Sequence, residues 1–226
     1  MSDDIEEMHS NHCGAVPSNS PRRQSLRNQQ TAAMRATAQC TRCGAKYSAE
    51  IPQSVNAATD PDLKEKVRSG ELFTWTCPHC GTANLLSVPF LYHDPSAHLM
   101  LVLTTAPLGA EGLPDGYTGR QVRSVGDLME KIKIFDAGLD DLIIEMCKFV
   151  TCQELKKDVA LRFAGMDGAD AEMTFTYPEN GQMELVAVGF NVYEDCAGIL
   201  QRNPQIRASV QGLALIDQAW LSRYFR

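Results

Sequence analysis

Cys40-Thr41-Arg42-Cys43-Gly44 and Cys77-Pro78-His79-Cys80-Gly81 are two copies of one pattern, C-x-x-C-G. In each copy two thiolates lie close enough along the chain to grip one cation. The glycine after the second cysteine permits a left-handed backbone, which turns amide N–H groups toward sulfur. Two such knuckles supply four sulfurs, the full tetrahedral complement of a structural zinc ion. The pattern predicts a Zn2+ site built from Cys40, Cys43, Cys77 and Cys80, with no position left open for a substrate. It speaks to architecture and leaves activity open.

Working outward, residues 44–76 separate the knuckles, more than a minimal zinc ribbon needs, so this insert must hold an element of its own. Lys46–Ser54 alternates like a strand. Asp60-Pro61-Asp62 reads as a helix start with Asp60 as N-cap and Pro61 in the first turn. Leu63 and Val67 share a face, and Gly70 is the stop. Leu72–Thr76 and Asn84–Tyr92 read as the strands flanking the second knuckle. The path is a ribbon with a helical insertion, ending near Asp94-Pro95.

Beyond it, Leu99–Thr105 is an apolar strand and Pro107–Gly119 a loop. Ser124 with Asp127 three residues on marks a helix start carrying Leu128, Ile132 and Phe135 on one face. Gly138 interrupts, and Leu139, Leu142, Ile143, Met146 and Val150 line a second helix. Val159–Phe163, Glu172–Tyr177 and Glu184–Val188 read as antiparallel strands, the last two joined by an Asn180-Gly181 turn. Tyr193–Leu200 and Ile216–Phe225 read as closing helices. The fold class expected is α+β: a zinc ribbon over 37–95 and a mixed or antiparallel sheet covered by helices over 96–226. Residues 1–36 are polar and aperiodic and read as a disordered tail, within which Met34 is an alternative translation start. The tail's His9, His12 and Cys13 read as solvated side chains rather than as a metal site.

The chain has 226 residues, 44% of them apolar, with 21 basic and 28 acidic side chains for a net charge of −7. Residues 35–226 carry 18 basic and 24 acidic side chains, a balance of −6. That sign disfavours phosphate backbones and anionic membranes as partners. Eight cysteines in a short secreted chain would suggest disulfides. The acidic start Ser2-Asp3-Asp4-Ile5-Glu6-Glu7 lacks the basic and apolar regions of a signal peptide, and no apolar run approaches a membrane span. A cytoplasmic protein with reduced thiols is expected, a setting in which paired C-x-x-C motifs hold metal.

The two knuckles, with Ser54-Val55-Asn56, Asp60-Pro61-Asp62-Leu63-Lys64, Ser69-Gly70-Glu71-Leu72-Phe73, Leu91-Tyr92-His93-Asp94, Leu128-Met129-Glu130-Lys131-Ile132 and Gly138-Leu139-Asp140-Asp141, resemble the CpXC domain family in order and spacing. That family comprises bacterial and archaeal proteins named for their paired cysteine motifs. The likeness runs over roughly residues 38–165. One departure is Thr41, where proline is common. The resemblance implies a zinc-ribbon-like domain and supplies no reaction.

The other chemical candidates read as structural. Arg42 and Lys46 are potential counter-charges to the sulfur cluster. His93-Asp94 could form an acid–base pair, but the pair precedes Pro95 and reads as a turn. Asp140, Asp141 and Glu145 could hold a cation, but read as a solvated helix start favourable to the macrodipole. Cys147, Cys152 and Cys196 read as ordinary thiols. Cys77-Pro78-His79-Cys80 has the letters of some disulfide oxidases, yet no helix is expected to open at Cys77 and activate it. The leading expectation is a non-enzymatic, zinc-stabilised module that binds another protein. The alternatives are a nucleic-acid-binding ribbon and a thiol–disulfide or redox-switch protein.

Overall fold

A computed structural model describes residues 32–108, 113–168 and 171–225. β1 (Ala33–Gln39) pairs antiparallel with β2 (Lys46–Pro52), from Ala33↔Pro52 to Gln39↔Lys46. Residues 33–36, expected in the tail, are therefore part of a strand. Its sequence is small and polar, and only Ala36, with Met34 and Ala38 in part, faces inward, so alternation is hard to read. His9, His12 and Cys13 lie outside the described residues.

β3 (Ser54–Asn56) follows, then α1 (Pro61–Ser69), which starts at Pro61 as expected and stops at Gly70 with φ +80°. A 3-10 turn (Glu71–Phe73) leads into β4 (Thr74–Thr76), paired antiparallel with β5 (Ala83–Leu85). The single strand expected over 84–92 is two strands, β5 and β6 (Phe90–Asp94). Pro89 lies in the break, where it has no N–H to give a ladder.

β6 turns back as β7 (Leu99–Leu103), and β8 (Thr118–Val122) runs parallel to β7. With a later strand, β12 (Leu213–Leu215), they form a five-stranded sheet in the order β12-β8-β7-β6-β3. The boundary expected at Pro95 thus falls in the turn of a hairpin whose two strands are neighbours inside one sheet. One core also crosses it, running from Ala36, Ile51 and Phe73 through Tyr92, Leu101 and Val122 to Leu128 and Ile132. Apolar burial makes a single body of what the composition suggested were two.

α2 (Val125–Asp136) opens on Ser124, whose hydroxyl accepts from the Asp127 N–H while the Asp127 carboxylate accepts from the Ser124 N–H. This is the reciprocal cap read from the sequence. α3 (Asp141–Leu155) follows after Gly138. β9 (Arg162–Asp167), β10 (Glu172–Glu179) and β11 (Gln182–Gly189) form an antiparallel sheet in the order β11-β10-β9. α4 (Phe190–Arg202), α5 (Pro204–Ala208) and the short α6 (Gln218–Leu221) complete the chain. The helix expected over 216–225 is only α6, preceded by β12. A second core of Ile134, Leu142, Ile144, Phe163, Phe175, Leu200 and Trp220 joins α3 and α4 to this sheet. α2 serves both cores, with Ile132 in the first and Ile134 in the second.

Where the cores meet lies a buried charge network. Arg120 on β8 grips Asp141 with two bonds of 2.8 and 2.9 Å. Lys131 on α2 reaches the same carboxylate at 2.8 Å. Lys148 on α3 bridges Glu130 at 2.6 Å and Glu145 at 2.9 Å. All six side chains are buried, three of each sign. Asp141 and Glu145, read as a solvated helix start, are instead 1% and 3% exposed. Arg120 and Lys131, which neutralise Asp141, come from other elements, which a local reading does not see; Glu145 also has Lys148 three residues on in the same helix. The pairing answers the large desolvation cost of each ion, and removing one partner leaves the others uncompensated.

Burial opposes the charge of Asp141, and Lys131 and Arg120 outweigh it, holding this carboxyl far below the usual carboxylate range. Asp141→Asn is expected to cost about 3–5 kcal/mol at neutral pH in urea unfolding. The folded value lies below the unfolded one of about 3.9, so this stability is complete above that pH and is lost as pH falls further. The gap between wild type and variant should therefore shrink below about pH 4. A gap unchanged down to the lowest pH at which both fold would contradict this account.

Candidate metal centre

Each cysteine pair sits in the turn of a two-stranded hairpin, and the two turns have matching backbone bonds. Gly44 N–H donates to Cys40 O, and Gly81 N–H to Cys77 O, both at 2.9 Å. Cys40 N–H donates to Ala45 O, and Cys77 N–H to Thr82 O, again both at 2.9 Å. Gly44 and Gly81 have φ of +73° and +70°, the left-handed region that favours glycine. That conformation lets neighbouring amide N–H groups turn toward sulfur.

The hairpins bring the four sulfurs together, all within 4.8 Å of one another. Across the hairpins, Cys40 and Cys80 are 3.5 Å apart and Cys43 and Cys77 3.6 Å. Cys40 and Cys77 are buried and Cys43 is exposed. The amide of Cys43, then that of Arg42, draws the Cys40 thiol down to about 6 against the opposing effect of burial. Cys43 is pushed up to about 12: the Ala45 amide pulls it down, and desolvation with the sulfurs of Cys77, Cys80 and Cys40 prevails. The Thr82 hydroxyl, then its amide, lowers Cys80. A divalent cation can take the place of the protons on sulfurs so placed. The arrangement could hold a metal ion.

Two features lock the hairpins together. Tyr47 on β2 stacks on Trp75 of β4, with centroids 4.3 Å apart and planes within 3°. Asn84 on β5 reaches across to the first knuckle. Its Oδ1 accepts from Thr41 N–H at 2.9 Å and Thr41 Oγ1 at 3.0 Å, and its Nδ2 lies 3.6 Å from Cys40 Sγ. Nδ2 also donates to Thr82 O at 2.8 Å. A proline at position 41 would have no N–H to give, so threonine there makes this crossing bond possible. Asn84 is 6% exposed, and sequence reading missed it because nothing local marks an asparagine four residues past Cys80. Arg42 and Lys46 point their charges to solvent. The contribution of Arg42 to the cluster is its main-chain amide.

The remaining candidates do not converge on a site. His93 and Asp94 are successive strand residues and face opposite ways; His93 Nε2 lies 3.1 Å from Tyr117 Oη. Asp94 closes the β6–β7 turn by accepting from the Ser96 and Ala97 N–H groups, and it pairs with Lys64 at 3.1 Å. Asp140 caps α3 through the Leu142 N–H. Cys147 and Cys196 are buried, and the neighbouring Cys196 sulfur, followed by burial, pushes the Cys147 thiol up. Cys152 is half-buried, and its thiol too is raised by burial. A cavity of about 310 Å3 opens beside Glu130, Glu145 and Lys148, but these charges are spent on each other. Among the described residues no helix is long and apolar enough to cross a membrane.

Residues 38–148 match the family model described as CpXC protein. The match takes in both knuckles, α1, the central strands β6–β8, α2 and half of α3, just under half of the chain, and this segment is a CpXC domain. No curated protein and no solved structure matches the chain.

Asn84→Ala would release Thr41 and remove the amide beside Cys40 without touching a sulfur. Groups that orient ligands are worth about 10–100-fold in metal affinity. A loss in that range is expected in competition with a chromogenic chelator. An unchanged affinity would show that the crossing bond does not support the cluster.

Proposed function

We propose that the chain is a zinc-stabilised interaction module whose partner is another protein. The observation that carries this reading is the gathering of Cys40, Cys43, Cys77 and Cys80 within 4.8 Å on two separate hairpins. A tetrahedral zinc–thiolate centre with bonds of about 2.3 Å has edges of about 3.8 Å. The cross-hairpin distances of 3.5 and 3.6 Å are close to that edge. Four sulfurs fill every position, so the ion is structural and polarises no substrate. The two hairpins with α1 between them make a zinc ribbon with a helical insertion.

A protein partner is favoured over nucleic acid by charge. The net charge is −7 before metal binds, and four thiolates around one Zn2+ add −2. On α1, Lys64 pairs with Asp94 and Asp136, and Arg68 with Glu65. Leu85, at the end of β5 beyond the second knuckle, is 63% exposed and offers an apolar contact. Thiol–disulfide exchange is disfavoured because Cys77 leads into β5 and not into a helix, so no helix dipole activates its sulfur.

Purified protein is expected to carry about one zinc per chain, absent from a Cys40→Ser/Cys77→Ser variant. Full zinc occupancy in that variant would overturn the ligand set. Chelation should raise amide exchange in β1, β2, β4 and β5, because two-stranded hairpins are marginal alone, and leave α3 and β10 protected. Exchange rising equally in all of them would contradict a local structural role. In a separate measurement, binding to DNA or RNA is expected to be weak at physiological salt. Sub-micromolar binding that is lost in Lys64→Glu/Arg68→Glu would replace the protein partner with a nucleic acid.

A further inference from the structure

β10 and β11 are joined by Asn180-Gly181, both with positive φ, +51° and +79°. This is a type I′ turn, and the residues flanking such a two-residue loop exchange both backbone bonds. Hydrogen-bonded pairs then alternate along an antiparallel ladder. From Glu179↔Gln182 they fall at Tyr177↔Glu184, Phe175↔Val186 and Met173↔Val188. Met183, Leu185 and Ala187 occupy the intervening pairs and turn their own N–H and C=O groups to the far side of β11. Pro178 faces Met183 in one of these pairs, where no N–H is needed.

That far side is open: among the described residues no strand pairs with it. The same three residues carry apolar side chains outward. Met183 and Leu185 are each 63% exposed, and Ala187 is exposed as well. An unpaired edge is a template for another strand, and proteins blunt such edges with lysine, proline or a bulge. Gln182–Gly189 has none of these. Its one charge, Glu184, is half-buried on the opposite face.

We propose that β11 pairs with β11 of a second copy of this chain, antiparallel about a two-fold axis through Leu185. The copies would share one continuous sheet of six strands. This rests on the β9–β11 sheet and is independent of the metal centre. The strand is complementary to itself in this register. Leu185 meets Leu185, the large Met183 meets the small Ala187, and Glu184 meets Val186. Shifting the axis to Glu184 would set two carboxylates directly opposite, which is destabilising. Shifting it to Val186 would push Gln182 past the end of the partner strand. The chosen register pairs the whole of residues 182–188 and closes the assembly as an isologous dimer, leaving no free β11 edge.

Light scattering of the full chain after size exclusion tests this. Twice the monomer mass is expected, with slow exchange of the Met183, Leu185 and Ala187 amides. Leu185→Pro removes only an outward N–H, and Leu185→Lys sets like charges across the axis. Each should halve the mass and free the Met183 and Ala187 amides, with the circular dichroism of the fold retained; the second variant decides should the first not fold. A monomer at every concentration up to millimolar would overturn the proposal. So would a dimer that survives Leu185→Lys, or one in which those amides exchange freely.

Discussion

Two hairpins of the CpXC domain must meet at their tips, and little apolar surface is available there to make them do so. β4 and β5 are three residues each, and β1 and β2 bury mainly Ala36 and Ile51 of their own. Two-stranded ladders of this size are marginal in water. What gathers at the tips is sulfur. Cys40 and Cys80, distant in sequence, come within 3.5 Å. In the account proposed here a cation supplies the missing cohesion, on the order of 10 kcal/mol for a structural zinc site. The Tyr47–Trp75 stack and the Asn84 bridge then fix the angle at which the hairpins meet. α1 follows from that closure, because it fills the connection between the hairpins and packs Val67 into the first core.

A second constraint governs the rest of the body. α2 is flanked by apolar cores on two sides, and the charge network lies at the seam. Each ion there is balanced by a partner from a different element: Arg120 from β8, Lys131 from α2, Asp141 from α3. Such a network contributes less to stability than apolar groups of the same volume could. It does demand that β8, α2 and α3 be in place together. The polar strand β8 belongs inside the sheet for this reason: Arg120 answers Asp141, and the Gln121 amide donates to the carbonyls of Thr104 and Ala106.

The parts legible in the sequence are those with local chemistry. The knuckle glycines, Pro61 and Gly70 around α1, the Ser124–Asp127 cap and the Asn180-Gly181 turn each act within a few residues, and each was read correctly. β1 was hidden because alanine and threonine give no alternation. β8 was hidden because Arg120 and Gln121 look exposed until their partners are known. The boundary at Pro95 was misplaced because proline signals a turn but not whether its flanking strands share a sheet. At the cluster the four cysteines were plain, while Asn84 was not, since its role exists only once the hairpins meet.

The zinc account stands or falls on what surrounds the ion. X-ray absorption at the zinc edge of the purified, zinc-loaded full chain reads the coordination shell directly. The account expects a single shell of four sulfurs at about 2.3 Å. A shell with two or more nitrogen or oxygen neighbours at about 2.0–2.1 Å would contradict it, for then the metal would be held elsewhere or would keep a position open for chemistry.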